Sequence, residues 1–210
     1  MADTKISALT AAASFLDADE LMVNEAGAEK KVSGTQLKTW LGDMLQNQGT
    51  ASQTLAAAAS TYLTNSNISI PAAGLRVGTV FYYSAAISKA GVGVNTRQFF
   101  WRLGTAGTTA DAAILTFTSD TPNATADSGN VEIVVTVRGP LGASCIAQGY
   151  LKMEHDAAAA GFSTKVSNVA FVTSAGFTSS TANLIAGLSC TTGIAEAITL
   201  TQVTAEAVGL

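Results

Sequence analysis

Between residues 130 and 138 the chain alternates with period two: Val131, Ile133, Val135 and Val137 against Glu132, Thr136 and Arg138. Side chains of a strand point alternately to its two faces, so this run has one apolar and one wet face and needs a second layer to cover the apolar one. A weaker version recurs at Ile198 and Leu200 against Thr199 and Thr201. Further candidate strands are 76–83, 97–103, 113–119, 144–154, 165–173 and 182–189, with the two alternating runs extended to 130–138 and 195–204. Turn clusters separate them, among them Ala90-Gly91-Val92-Gly93, Gly104-Thr105-Ala106-Gly107 and Asp127-Ser128-Gly129-Asn130. Evenly spaced short strands with turn signals between them predict an antiparallel, eight-stranded, jelly-roll-like sandwich over residues 67–210, mainly β in class. Its core is expected to draw on Phe81, Phe99, Trp101, Leu115, Phe117, Ile133, Val135, Leu151, Val169, Phe171, Leu184 and Ile198.

The amino-terminal part is different. Residues 1 to about 33 carry short apolar pieces at Ile6, Leu9, Leu21, Val23 and Val32, too few to form a core alone. Asp17-Ala18-Asp19 lacks the glycine and closing glutamate of a calcium loop and reads as a solvated turn. Over 34–48, apolar residues at Leu37, Trp40, Leu41, Met44 and Leu45 fall on one face of a helical projection, with Ser33 and Gln36 spaced as a capping box and Gly49 as a stop. This predicts an N-terminal segment 1–48 with a helix over 34–48. Residues 49–66, rich in Ala, Ser and Thr, read as a linker, either a tether or an ordered connector anchored by Leu55, Tyr62 and Leu63.

Composition narrows the chemistry. Lys plus Arg number 11 against 15 Asp plus Glu, a net charge of −4, which disfavours a nucleic-acid binder that must neutralise phosphates. Thus no nucleic-acid partner is expected, and no apolar run approaches the ~20 residues of a membrane span. The one His, His155, lies between Glu154 and Asp156 and reads as a solvated strand end rather than a ligand or general base. Cys145 and Cys190 stand apart and read as buried reduced thiols. Arg97, Phe99, Phe100, Trp101 and Arg102 form the densest aromatic and basic cluster, which reads as a core strand flanked by arginines, although such a cluster also suits stacking ligands. No phosphate loop or nucleophile elbow is present, and the acidic residues of the β region show no pairing for glycoside hydrolysis. The expectation is a non-enzyme without metal or cofactor.

Three segments add a resemblance. Thr4-Lys5-Ile6-Ser7-Ala8-Leu9, Asp19-Glu20-Leu21-Met22-Val23-Asn24-Glu25 and Lys30-Lys31-Val32-Ser33-Gly34-Thr35-Gln36-Leu37 resemble the N-terminal module of tailed-bacteriophage virion appendages: capsid decoration or cement proteins, head fibres and tail fibres. Ile68-Ser69-Ile70-Pro71 through Thr79, and Arg102 through Asp111, are similar to a β-sandwich domain of the same class of proteins. The resemblance implies a homotrimer in the virion, assembled in the host cytoplasm, whose N-terminal segment binds a phage capsid protein or other virion protein. The short chain favours a capsid decoration protein; the alternative is a short tail fibre binding a host surface glycan. Interface candidates are Ile6, Leu9, Leu21, Val23, Val32, Leu37, Trp40, Leu41, Met44 and Leu45, with Trp40 the strongest because tryptophan is enriched among interface anchors.

Overall fold

The computed structural model describes residues 20–25, 28–33, 44–56, 58–91, 94–157, 160–165, 167–179, 182–192 and 197–210. The chain divides into two compact units, Met1–Asp43 and Met44–Leu210. In the first, β1 (Glu20–Glu25) pairs antiparallel with β2 (Ala28–Ser33), so that Leu21 stands opposite Val32 and Val23 opposite Lys30.

The second unit is all β among its described residues. Its strands are β3 (Met44–Gly49), β4 (Gln53–Leu55), β5 (Ser60–Tyr62), β6 (Ile68–Ile70), β7 (Val80–Lys89), β8 (Gln98–Gly104), β9 (Ala112–Thr118), β10 (Asp127–Val137), β11 (Ala147–His155), β12 (Ser167–Thr173), β13 (Leu184–Thr191) and β14 (Ile198–Val208). The larger sheet runs β12-β11-β10-β7-β14-β3, with β4 also on β14; the smaller runs β5-β13-β8-β9, with β6 also on β13. All described pairings are antiparallel.

The inner faces meet at Trp101 of β8, whose ring lies 5.3 Å from Phe81 of β7 and whose indole N–H donates to the Tyr83 hydroxyl at 3.2 Å. Phe99, Leu115, Phe117, Ile133, Val135, Leu151, Leu184 and Ile198 are buried in the same core. Thus the eight long strands exist as expected, but their order differs from a jelly roll: β7, β10, β11, β12 and β14 share one sheet and β8, β9 and β13 the other, with β10-β11-β12 a consecutive meander.

Two expectations are corrected and one open alternative is resolved. Met44 to Gln48 are not helical but belong to β3, on the edge of the larger sheet, with Met44 opposite Val208, Leu45 opposite Ala207 and Gly49 opposite Val203. The helical spacing is local, whereas the partner that satisfies this backbone is β14, more than 150 residues away. Gly49 is there for close approach: a Cβ on it would stand 1.8 Å from Asn65 Nδ2. Residues 34–43, with Leu37, Trp40 and Leu41, lie outside the described residues, as do Ile6, Leu9 and the Asp17–Asp19 turn. Next, the 49–66 stretch is the ordered alternative: it supplies β4 and β5, and Leu55 and Leu63 are buried. Finally, Val169 and Phe171 are not core residues. Both point outward from β12, 49% and 79% exposed, because the inward positions are Asn168, Ala170 and Val172, a register one residue away.

Candidate functional site

The outward register of β12 completes a row across four strands. Tyr82 of β7 stands opposite Val134 of β10, Val134 opposite Tyr150 of β11, and Tyr150 opposite Phe171 of β12. These face away from the core because their neighbours Phe81, Tyr83, Ile133, Val135 and Leu151 occupy the inner face. The rings of Tyr150 and Phe171 lie 5.8 Å apart at 50°, and Tyr82 is 44% exposed. The Tyr150 hydroxyl donates to Glu132 Oε1 at 3.0 Å, which fixes the ring across β10. Burial first, then the Glu132 carboxylate, raise its pKa, so it stays a neutral donor.

A concavity of about 310 Å³ opens beside this aromatic pair. Val134, Gly149, Tyr150, Phe171 and Val172 line it, and Thr136, Arg138, Gln148 and Thr173 give its rim polar groups. Thr136, Gln148 and Thr173 stand in register across β10, β11 and β12, and Gln148 Nε2 donates to Thr173 Oγ1 at 3.2 Å. On the other side of the ring row, Lys152 and Glu154 form an exposed ion pair at 3.0 Å. The patch therefore combines aromatic faces with hydroxyl, amide and guanidinium groups. Such groups can stack on a ligand and hydrogen-bond to it.

The sequence candidates outside this face have structural tasks. His155 is buried rather than solvated: its Nδ1 stands 2.8 Å from Asp127 Oδ2 and its Nε2 2.5 Å from the Lys165 carbonyl oxygen, with both side chains enclosed. Acidic neighbours in sequence suggested a wet strand end; the burying partner, the 156–165 loop, is not visible in the strand's own pattern. Phe162 from that loop packs edge-on to His155 and lies under the Arg97 guanidinium at 4.7 Å, so Arg97 and Lys89 close this end of the sandwich from within. Of the aromatic-basic cluster, Phe99 and Trp101 are core, while Phe100 and Arg102 lie on the opposite, outer face.

Arg102 holds the Gly104–Asp111 loop: Nη1 donates to the carbonyls of Thr109 (3.0 Å) and Asp111 (2.6 Å), and Nε to Ser189 Oγ (2.6 Å). The Asp111 carboxylate in turn accepts from the backbone N–H of Ala106, Gly107 and Thr108. An anion nest is thus filled by the chain's own carboxylate. Cys145 and Cys190 are buried free thiols, and burial pushes the Cys190 thiol up to about 12. Among the described residues no group of three His, Cys, Asp or Glu side chains is arranged to hold a metal ion. The interface candidates Leu21, Val23 and Val32 lie on the β1–β2 hairpin, and Met44 and Leu45 on β3.

No family model matches the chain, and no curated protein matches it. A solved structure with some likeness is described as the CBM2 module of the evolved Dit of Lactobacillus casei BL23 phage J-1. It shares 10% identity with this chain at a TM-score of 0.29, over 80% of this chain and 91% of that one. Similarity at this level defines neither a shared fold family nor a shared ligand.

Proposed function

We propose that this is a non-catalytic virion protein of a tailed bacteriophage, a homotrimeric capsid decoration protein attached to the shell through residues 1–43 and displaying the sandwich outward. The observation that carries the reading is the division at Asp43 into a small unit bearing the virion-type motifs and a self-contained sandwich. A non-enzymatic role is supported by the fate of the single imidazole, which is enclosed against Asp127 and a backbone carbonyl and so is withheld from any substrate.

The test is removal of residues 1–43; Met44–Gly49 must stay because it is paired with β14. The truncated protein should give a cooperative melt and fail to decorate particles, while electron microscopy of intact particles finds the full chain on the head in many copies. Full decoration by the truncated protein would overturn the attachment role.

One observation favours a second reading, a short tail fibre that adheres to a host glycan: the exposed aromatic row of the larger sheet. That reading expects few copies, on the tail, and loss of adsorption on deletion.

A further inference from the structure

We propose that the concavity between β10, β11 and β12 binds an acidic oligosaccharide, one sugar ring lying on Phe171 and Tyr150 and a carboxylate of the same chain held by Arg138. The proposal deepens the adhesion reading by naming the site and the charge of its ligand, and rests on that reading only for its use in the virion.

The inference starts from β12. Its inward positions are Asn168, Ala170 and Val172, while Val169 and Phe171 point outward, 49% and 79% exposed, so two large apolar side chains of this strand stand in water. Leaving a Phe side chain in water forgoes the free energy of its burial, which an occupant covering the ring would recover. The occupant must offer an apolar face to two tilted rings and, at once, polar groups to Thr136, Gln148, Thr173 and Arg138 around about 310 Å³. A sugar ring does both, through its C–H face and its hydroxyls.

Charge selects among sugars. On this face Glu132 is engaged by the Tyr150 hydroxyl and Glu154 by Lys152, whereas among the described residues no carboxylate pairs with the Arg138 guanidinium. That leaves a cation on the rim complementary to an anionic group, which arginine binds in a bidentate fork. Geometry sets the length. Arg138 lies four residues along β10 from Val134, the strand position in the ring row, or about 13 Å at a strand's rise. A ligand longer than one sugar ring spans this distance without drawing in the Arg138 side chain, so an oligosaccharide fits the site better than a monosaccharide.

Other occupants fit less well. A nucleic acid needs clustered cations to neutralise successive phosphates, whereas among the described residues lining this concavity Arg138 is the one cation. A second copy would need at least about 1,000 Å² of matched surface, whereas an exposed ion pair, Lys152–Glu154, adjoins this ring row.

Calorimetric titration of the full chain tests this with oligogalacturonate, hyaluronan oligosaccharides and oligosialate, each beside its carboxyl-reduced counterpart and its acidic monosaccharide. At least one acidic oligosaccharide should bind, with its reduced form and its monosaccharide each about tenfold weaker or more. Phe171→Ala should weaken acidic and reduced forms alike by about tenfold. Arg138→Gln should weaken only the acidic form and flatten its salt dependence. Both residues are exposed, so unchanged melting curves are expected. The proposal is overturned if no member of the panel binds, if reduced and acidic forms bind equally, or if Phe171→Ala binds as tightly as the parent chain. Failure here with head or tail localisation intact would remove the site and leave the virion role standing; sugar binding by a chain absent from particles would do the reverse.

Discussion

Asp127 ties the 156–165 loop to the first residue of β10, and its removal should cost a large share of the sandwich's stability. Its Oδ1 accepts from the N–H of Ser128 at 2.9 Å and of Ala157 at 3.1 Å; its Oδ2 accepts from the N–H of Phe162 at 2.8 Å and stands 2.8 Å from His155 Nδ1. Asp127→Ala orphans the buried Phe162 N–H, worth about 1–3 kcal/mol, and two half-buried bonds of about 1 kcal/mol each that water partly replaces. It also strips His155 of its carboxylate partner. A total of about 3–5 kcal/mol follows, the range for breaking one side of a buried pair and a large fraction of a typical 5–15 kcal/mol. Asp127→Asn keeps one acceptor but turns an amide donor toward the Phe162 N–H, so it should fall between alanine and the parent. Urea unfolding followed by far-UV dichroism measures the order, and amide exchange at Phe162 locates it. A loss under about 1 kcal/mol for Asp127→Ala, or Phe162 protection unchanged by it, would refute the assignment.

Two further outcomes follow from the core. Tyr83→Phe removes the acceptor of the Trp101 indole N–H and should lower stability by about 1–3 kcal/mol in the same urea assay. Cys190 gives a pH dependence: burial, only partly offset by the Arg97 charge, raises its folded pKa from 9.0 to about 12. Below pH 9 both states keep the thiol proton. Between about 9 and 12 the unfolded chain releases it and the folded one does not, so stability falls as pH rises. The urea midpoint should therefore drop less steeply from pH 8 to 10.5 in Cys190→Ala than in the parent chain.

The period-two signal located the long strands because alternation records burial on one face, a property each strand carries in its own residues. Where a boundary moved, a turn explains it: the 76–83 run begins with Arg76–Thr79, closed by the Thr79 N–H donating to the Arg76 carbonyl, and β7 then extends to Lys89. The three-residue strands β4, β5 and β6 have too few side chains to show a period; they exist because β13 and β14 offer them backbone partners. The same cause undid the helix at Met44–Gln48, where a local spacing competed with a distant partner and the partner prevailed.

Legibility failed differently at the His155–Asp127 pair and on β12. His155 and Asp127 are invisible as a pair because their encounter depends on a loop folding back over the end of β11, and nothing in either neighbourhood encodes it. The β12 residues were visible and pointed the wrong way. Read as a half-buried strand, Val169 and Phe171 belong inside; the structure puts Asn168, Ala170 and Val172 there and leaves Val169 and Phe171 in water. An edge strand that leaves two large apolar residues outside forgoes their burial, and such local conflicts concentrate where a surface has another task. On β12 the conflict coincides with a concavity, an aromatic partner on β11 and a guanidinium without a carboxylate among the described residues. It is the coincidence of these four features on one face, rather than the exposure of any single ring, that makes a ligand the economical explanation for a phenylalanine in water.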